Sequence, residues 1–162
     1  MGLDSDLLIM IRPLIIEENS SLLQRHDGWL VSKMELRVVS LRKYPPIHAW
    51  ACNLSDGQAH ACQPIELSVD QLKELEGMLE RYATDPMAMP ECPQKYWGPF
   101  FGVPPYDPDY PAELAHYMQE APAIAKKVRK MWEYIEAEKA KPVQPTPGVY
   151  KPLVYGVYRA SW

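Results

Sequence analysis

Apolar residues recur along this chain with two different periods, and the change of period divides it. Residues 7–16, "LLIMIRPLII", are apolar except at Arg12 and Pro13 and read as a strand. Between Trp29 and Lys43, Met34, Leu36 and Val38 alternate with Lys33, Glu35 and Arg37, the two-residue period of a strand with one buried face. Tyr44-Pro45-Pro46 ends that strand. Ile47–Leu54 reads as a short helix or turn, and Ser55-Asp56-Gly57 as a turn.

The period then lengthens. Ser68 with Gln71 three residues later forms a capping box, in which each side chain satisfies a backbone N–H at a helix start. Leu72, Leu75, Leu79 and Tyr82 follow as one apolar stripe at helical spacing. A second helical region opens near Asp109, with Pro111 tolerated in its first turn. Pro122 is expected to break or kink it, leaving a segment of about 121–139 in which Ile124, Val128, Met131 and Ile135 form the buried stripe. The basic run Lys126, Lys127, Arg129 and Lys130 lies mostly off that stripe and reads as a solvated face. Residues 140–152 are a proline-rich connector to a closing strand at 153–162. Strands first, helices in the middle and a final strand predict a single α+β domain over 1–162. It should hold a mainly antiparallel sheet, two to three helices packed on one face, proline-rich loops, and the last strand paired inside the sheet.

Length and composition fit that picture: 162 residues suffice for one domain with its own core, and 47% are hydrophobic. Seventeen prolines against eight glycines are unusual, and they cluster at 86–111 and 142–152. A net charge of −4 gives no basic field for general nucleic-acid binding. No apolar run reaches the roughly 18–20 residues of a membrane span. "MGLDSD" lacks the cationic lead of a signal peptide, and Asp6 spoils the myristoylation pattern. Three cysteines, an odd number, suggest reduced thiols in a cytoplasm.

Candidate chemistry is sparse. His48, Cys52, His60 and Cys62 offer four soft ligands for zinc within fifteen residues, but in no standard finger or ribbon spacing, and a packed histidine with unlinked thiols is the plainer reading. No metal and no cofactor is expected. Cys52 or Cys62 with His48 and Asp56 would make a nucleophile with an activator only if folding joined them, and no local signature supports it. Asp107 and Asp109 flank Pro108 and suit capping of the following helix. His48 is the one candidate for acid/base work. The aromatic residues weigh more. "GPFFGVPPYDPDY" (98–110) holds the chain's only phenylalanines between glycines and prolines. Rings at Trp50, Phe100, Phe101, Tyr106, Tyr110, Tyr158 and Trp162, with Arg42, Lys43, His48, Asp107 and Arg159, suit a site that stacks a planar ligand and holds its anionic group. The alternative is an aromatic core under proline-rich loops.

"RKYPPIHAW" (42–50), Asp56-Gly57, Cys62, "LSVDQLKELEGML" (67–79), "GPFFGVPPYDPDY" and "YRASW" (158–162) follow a starting "MGLD" in fixed order. Together they resemble a family of small, uncharacterised bacteriophage and prophage proteins. The chain departs from the family pattern at Ser5-Asp6, over residues 10–33, at Pro99 and at Ala160. The resemblance implies a phage protein; lacking coiled-coil heptads, low-complexity tails and repeats, it is expected to be an accessory factor in the cytoplasm of the infected bacterial host, not a virion component. Its expected partner is a small nucleotide-like molecule or a host protein, with no membrane association, a possible role against host defence, and possible homodimerisation. Binding is expected ahead of catalysis; the alternative is a small enzyme using His48 on a nucleotide or metabolite.

Overall fold

The computed structural model describes residues 3–12, 34–91, 108–142 and 152–161, together with the backbone of 25–26 and 29–30. Its strands are β1 (Asp4–Arg12), β2 (Arg25–His26), β3 (Trp29–Leu30), β4 (Met34–Arg42), β5 (Ile65–Leu67) and β6 (Leu153–Ser161). Its helices are α1 (Pro45–Leu54), α2 (Val69–Tyr82) and α3 (Tyr110–Ala140), with a short 3-10 turn at Pro86–Ala88. The fold is α+β. Four strands form an antiparallel sheet in the order β4-β1-β6-β5, and β2 and β3 pair separately.

Within the strand read at Trp29–Lys43, Trp29–Leu30 forms β3, paired with β2, and Met34–Arg42 forms β4, paired with β1; residues 31–33 lie outside the described residues. Within β4 the alternation also changes phase. Leu7 pairs with Val39 and Leu8 with Arg37, so Val38 is an extra residue in a bulge. After it Val39 and Leu41, not the continuation of Met34–Leu36–Val38, supply the fully buried side chains. β1 begins at Asp4, earlier than expected, and is buried through Leu7–Met10. β6 lies between β1 and β5, so the last strand is inside the sheet.

All three helices pack on one face. The capping box forms as the sequence indicates: Gln71 N–H donates to Ser68 Oγ at 3.1 Å, and Ser68 N–H donates to Gln71 Oε1 at 2.8 Å. Leu72, Leu75, Leu79 and Tyr82 of α2 meet Ile124, Val128, Met131 and Ile135 of α3 in the main core, against Leu7, Ile9, Val154 and Tyr158 of the sheet. Glycine at 156 is required by close approach. A Cβ there would stand 2.9 Å from Met131 Cε, 3.1 Å from Leu72 Cδ1 and 3.3 Å from Leu67 Cβ.

Pro122 does not break α3, which is helical through all 31 residues. Proline removes one backbone donor and crowds the preceding turn. Here it sits on the exposed side, with Ala121, Ile124 and Ala125 buried beside it, so packing holds the helix on both sides of the defect. The basic run is also more than a solvated face. Arg129 bonds to Glu76 and, at 2.9 Å, to Glu80, while Trp132 Nε1 donates to Glu76 Oε2 at 2.6 Å. Glu76, only 6% exposed, thereby ties α2 to α3.

Candidate functional site

The turn between β4 and α1 sets the site's geometry. Lys43 takes the left-handed backbone, φ 51°, and its N–H donates to Leu3 O at 2.7 Å. This sharp reversal sends the chain into α1, whose first turn contains Pro45 and Pro46, positions where a missing N–H costs nothing. Residues 46–52 of α1 are all buried, so the helix is enclosed on every side.

His48 is therefore a core residue, with no exposed surface. Its Nδ1 lies 2.8 Å from the Tyr158 hydroxyl on β6, and its Nε2 3.4 Å from Cys52 Sγ, one turn further along α1. A neutral imidazole has one donor and one acceptor nitrogen, and either tautomer engages both neighbours. The turns after α1, with Asp56 at φ 50° and Gly57 at φ 86°, return the chain so that the His60 ring stands 5.9 Å from that of His48. Burial first, and the adjacent His60 second, lower the His48 pKa to about 4. The ring is neutral near pH 7 and sealed from solvent.

Residues 55–62 form turns; Cys62 is exposed with φ 59°, while Cys52 is buried. No group of three metal-ligating side chains occurs among the described residues. The link between His48 and Cys52 was legible, since i and i+4 share a helix face. That of His48 to Tyr158, 110 residues apart, had no local signal.

Arg159 does not join this group. Successive residues of a strand point to opposite faces, so Tyr158 faces the helices and Arg159 the other side. There it donates to Glu35 at 3.3 Å and lies 3.8 Å from Asp6, which is also 3.4 Å from Arg37. Arg42 and Lys43 are exposed and form no ion pair among the described residues. Trp50 is 5% exposed and packs in the core. Thus His48, Trp50 and Tyr158 come together as interior residues, while the cations expected to line the same concavity lie outside it or behind the sheet.

Tyr110 belongs to a second aromatic group that sequence reasoning missed. Tyr44 and Tyr117 meet edge to face at 5.4 Å, and the Tyr44 hydroxyl donates to Tyr117 O at 2.7 Å. Burial raises the pKa of Tyr82 to about 12, with Tyr110 adding to it, and holds Tyr44 and Tyr117 higher still. Burial and then the Glu91 carboxylate raise Tyr110, so residues 91 and 110, which bracket the aromatic and proline-rich stretch, lie close together. Asp109 occupies the cap position of α3, but its carboxylate makes no capping bond there, contrary to expectation. Phe100, Phe101, Tyr106, Asp107 and Trp162 lie outside the described residues.

No helix among the described residues is long and apolar enough to cross a membrane. No protein-family model, curated protein or solved structure matches the chain significantly.

Proposed function

We propose that this chain is a phage-encoded accessory protein that works by binding rather than by catalysis in the cytoplasm of the infected host. Its ligand is a small planar anion of the nucleotide class, taken up in a way that counters host defence, or else a host protein. The observation that carries the preference for binding is the state of His48. A general acid or base must reach its substrate and titrate near the working pH. His48 is fully buried, engaged at both nitrogens and lowered to about 4. The phage assignment rests on the motif order in the sequence. An anionic ligand is favoured by Arg42 and Lys43, exposed on the tight turn that leads into the buried Tyr44.

The test is incubation with a library of nucleotides and metabolites, with mass spectrometry of what is retained and what is changed. Retention without chemical change is expected. Replacing Arg42 and Lys43 together by Ala should abolish retention while the melting temperature stays within a few degrees, as for exposed side chains. Turnover of any compound, lost on replacing His48, would restore the enzyme reading. Neither retention nor turnover would move the reading to the host protein.

A further inference from the structure

β4 is an outermost strand of the four-stranded sheet, with β1 on one side and, among the described residues, no strand on the other. A strand in this position presents a row of N–H and C=O groups to whatever can pair with it. Sheets commonly blunt such edges with proline, very short strands, bulges or charged side chains, lysine above all. Between Met34 and Arg37 β4 has no proline, lysine or bulge, and its two charges, Glu35 and Arg37, are of opposite sign. It runs for nine residues, and its first four pair regularly with β1. The bulge comes only at Val38. Met34, on the side where Leu36 packs against the core, is 55% exposed.

We propose that β4 pairs antiparallel with β4 of a second copy of this chain, about a two-fold axis through Leu36. This joins two four-stranded sheets into one of eight. The register follows from charge. Paired side chains must lie on the same side of the joined sheet, so the axis passes through a residue and each residue meets one of like parity. An axis at Glu35 sets Glu35 opposite itself, and one at Arg37 sets Arg37 opposite itself; like charges directly opposite destabilise a sheet. An axis at Leu36 sets Glu35 opposite the second copy's Arg37, twice, on the helix-free side. On the other side Leu36 meets its equivalent, and Met34 is brought towards the second copy's Val38. The bulge at Val38 then bends β4 away and ends the pairing.

Both charges are already part of a row within one chain. Glu35 accepts from Arg159 at 3.3 Å, and Arg37 lies 3.4 Å from Asp6. The second copy lengthens that row without a break in alternation: Arg159, Glu35, then the second copy's Arg37 and Asp6. Such pairs contribute little to a single fold when exposed, but they select register and partner at an interface. The contact is short beside the roughly 1,200–2,000 Å² of a stable complex, so the dimer should depend on concentration.

Sedimentation velocity over a concentration series at low salt tests this. The parent chain should shift towards twice its monomer mass as concentration rises. Glu35→Arg sets an arginine against the second copy's Arg37, and Arg37→Glu sets a glutamate against its Glu35. Each substitution alone should therefore weaken dimerisation about tenfold or more. Mixed together the two single variants are complementary and should form a heterodimer. The double variant Glu35→Arg/Arg37→Glu should dimerise with itself but not with the parent. Circular dichroism and melting confirm that each variant is folded; the mixing arm is decisive, because a misfolded chain gains no partner on mixing. A parent that stays monomeric throughout overturns the proposal. So do single variants that dimerise like the parent, a mixture that does not associate, or a double variant that remains monomeric.

Discussion

Tyr158 and Arg159 are covalent neighbours on β6, and they belong to two different surfaces. On the helix side, Tyr158 is part of a continuous core that includes strands and all three helices, and its hydroxyl meets His48 within that core. On the other side, Leu8, Met10 and Val157 form a small separate apolar cluster with Tyr155 against it. Beyond that cluster the side is organised by charge, with Asp6 between Arg37 and Arg159, Glu35 beside Arg159, and Arg12 5.6 Å from the Tyr155 ring. The helix side is specified by shape; His48 is engaged there at both ring nitrogens, while the buried Ser5 hydroxyl has no hydrogen-bond partner among the described residues. The charged side is held by partly exposed ion pairs, which contribute little to stability, so substitutions there are expected to cost less.

The sharpest break of this contrast is expected at Gly156. Gly156→Ala adds one methyl group where Met131, Leu72 and Leu67 converge. Met131 Cε can swing aside, but Leu67 Cβ belongs to a paired strand, so a loss of about 1–3 kcal/mol is expected in denaturant unfolding. A neutral result would mean that α2 and α3 sit further from the sheet than described.

Acid comes next. The His48 pKa is about 4 in the folded chain, below the ordinary 6.5 that holds when it is unfolded. Between those values the unfolded state takes up a proton that the folded state refuses. The stabilisation is complete above about pH 6.5 and is lost as pH falls towards 4, with a slope of up to about 1.4 kcal/mol per pH unit. Urea unfolding at intervals from pH 7.5 to 5 measures that slope, and His48→Gln should flatten it even if the variant is less stable overall. An unchanged slope in the variant would show that His48 is not the group responsible.

The smallest effect belongs to the charged side. Arg159→Ala removes partly exposed ion pairs to Glu35 and Asp6, 3.3–3.8 Å long, and should cost under about 1 kcal/mol. A loss as large as that at Gly156 would make the two sides alike.

Much of this contrast could be read in the sequence. The helical stripes and the Ser68–Gln71 box identify α2 and the buried face of α3, because local hydrogen bonding and burial agree there. The failures come where tertiary packing overrules a local rule. Pro122 marks a break only if the flanking turns lack other support, and here they are buried. The bulge at Val38 leaves a trace, the adjacent pair Val38-Val39, but which side each takes is settled by β1. β5 is three residues long, too short for a period to show. The candidate site fails more instructively. Arg159 and Tyr158 fall in one motif, yet strand alternation separates them, and that was legible from the motif itself. The partnership of Tyr158 with His48 was not, since nothing local connects residues so far apart.

The two middle strands of the sheet are β1 and β6, close to opposite ends of the sequence, with Ser161 Oγ bonded to Asp4 O across 157 positions. During synthesis β1 is made before β4 and can pair with it, but its other edge stays open until residues 153–161 have been made. Non-local pairing of this kind slows folding, because a long loop must close before the contacts that reward it form. In that interval the apolar run Leu7–Ile11 presents an unpaired edge, so the nascent chain is most prone to aggregate just before its sheet acquires a centre.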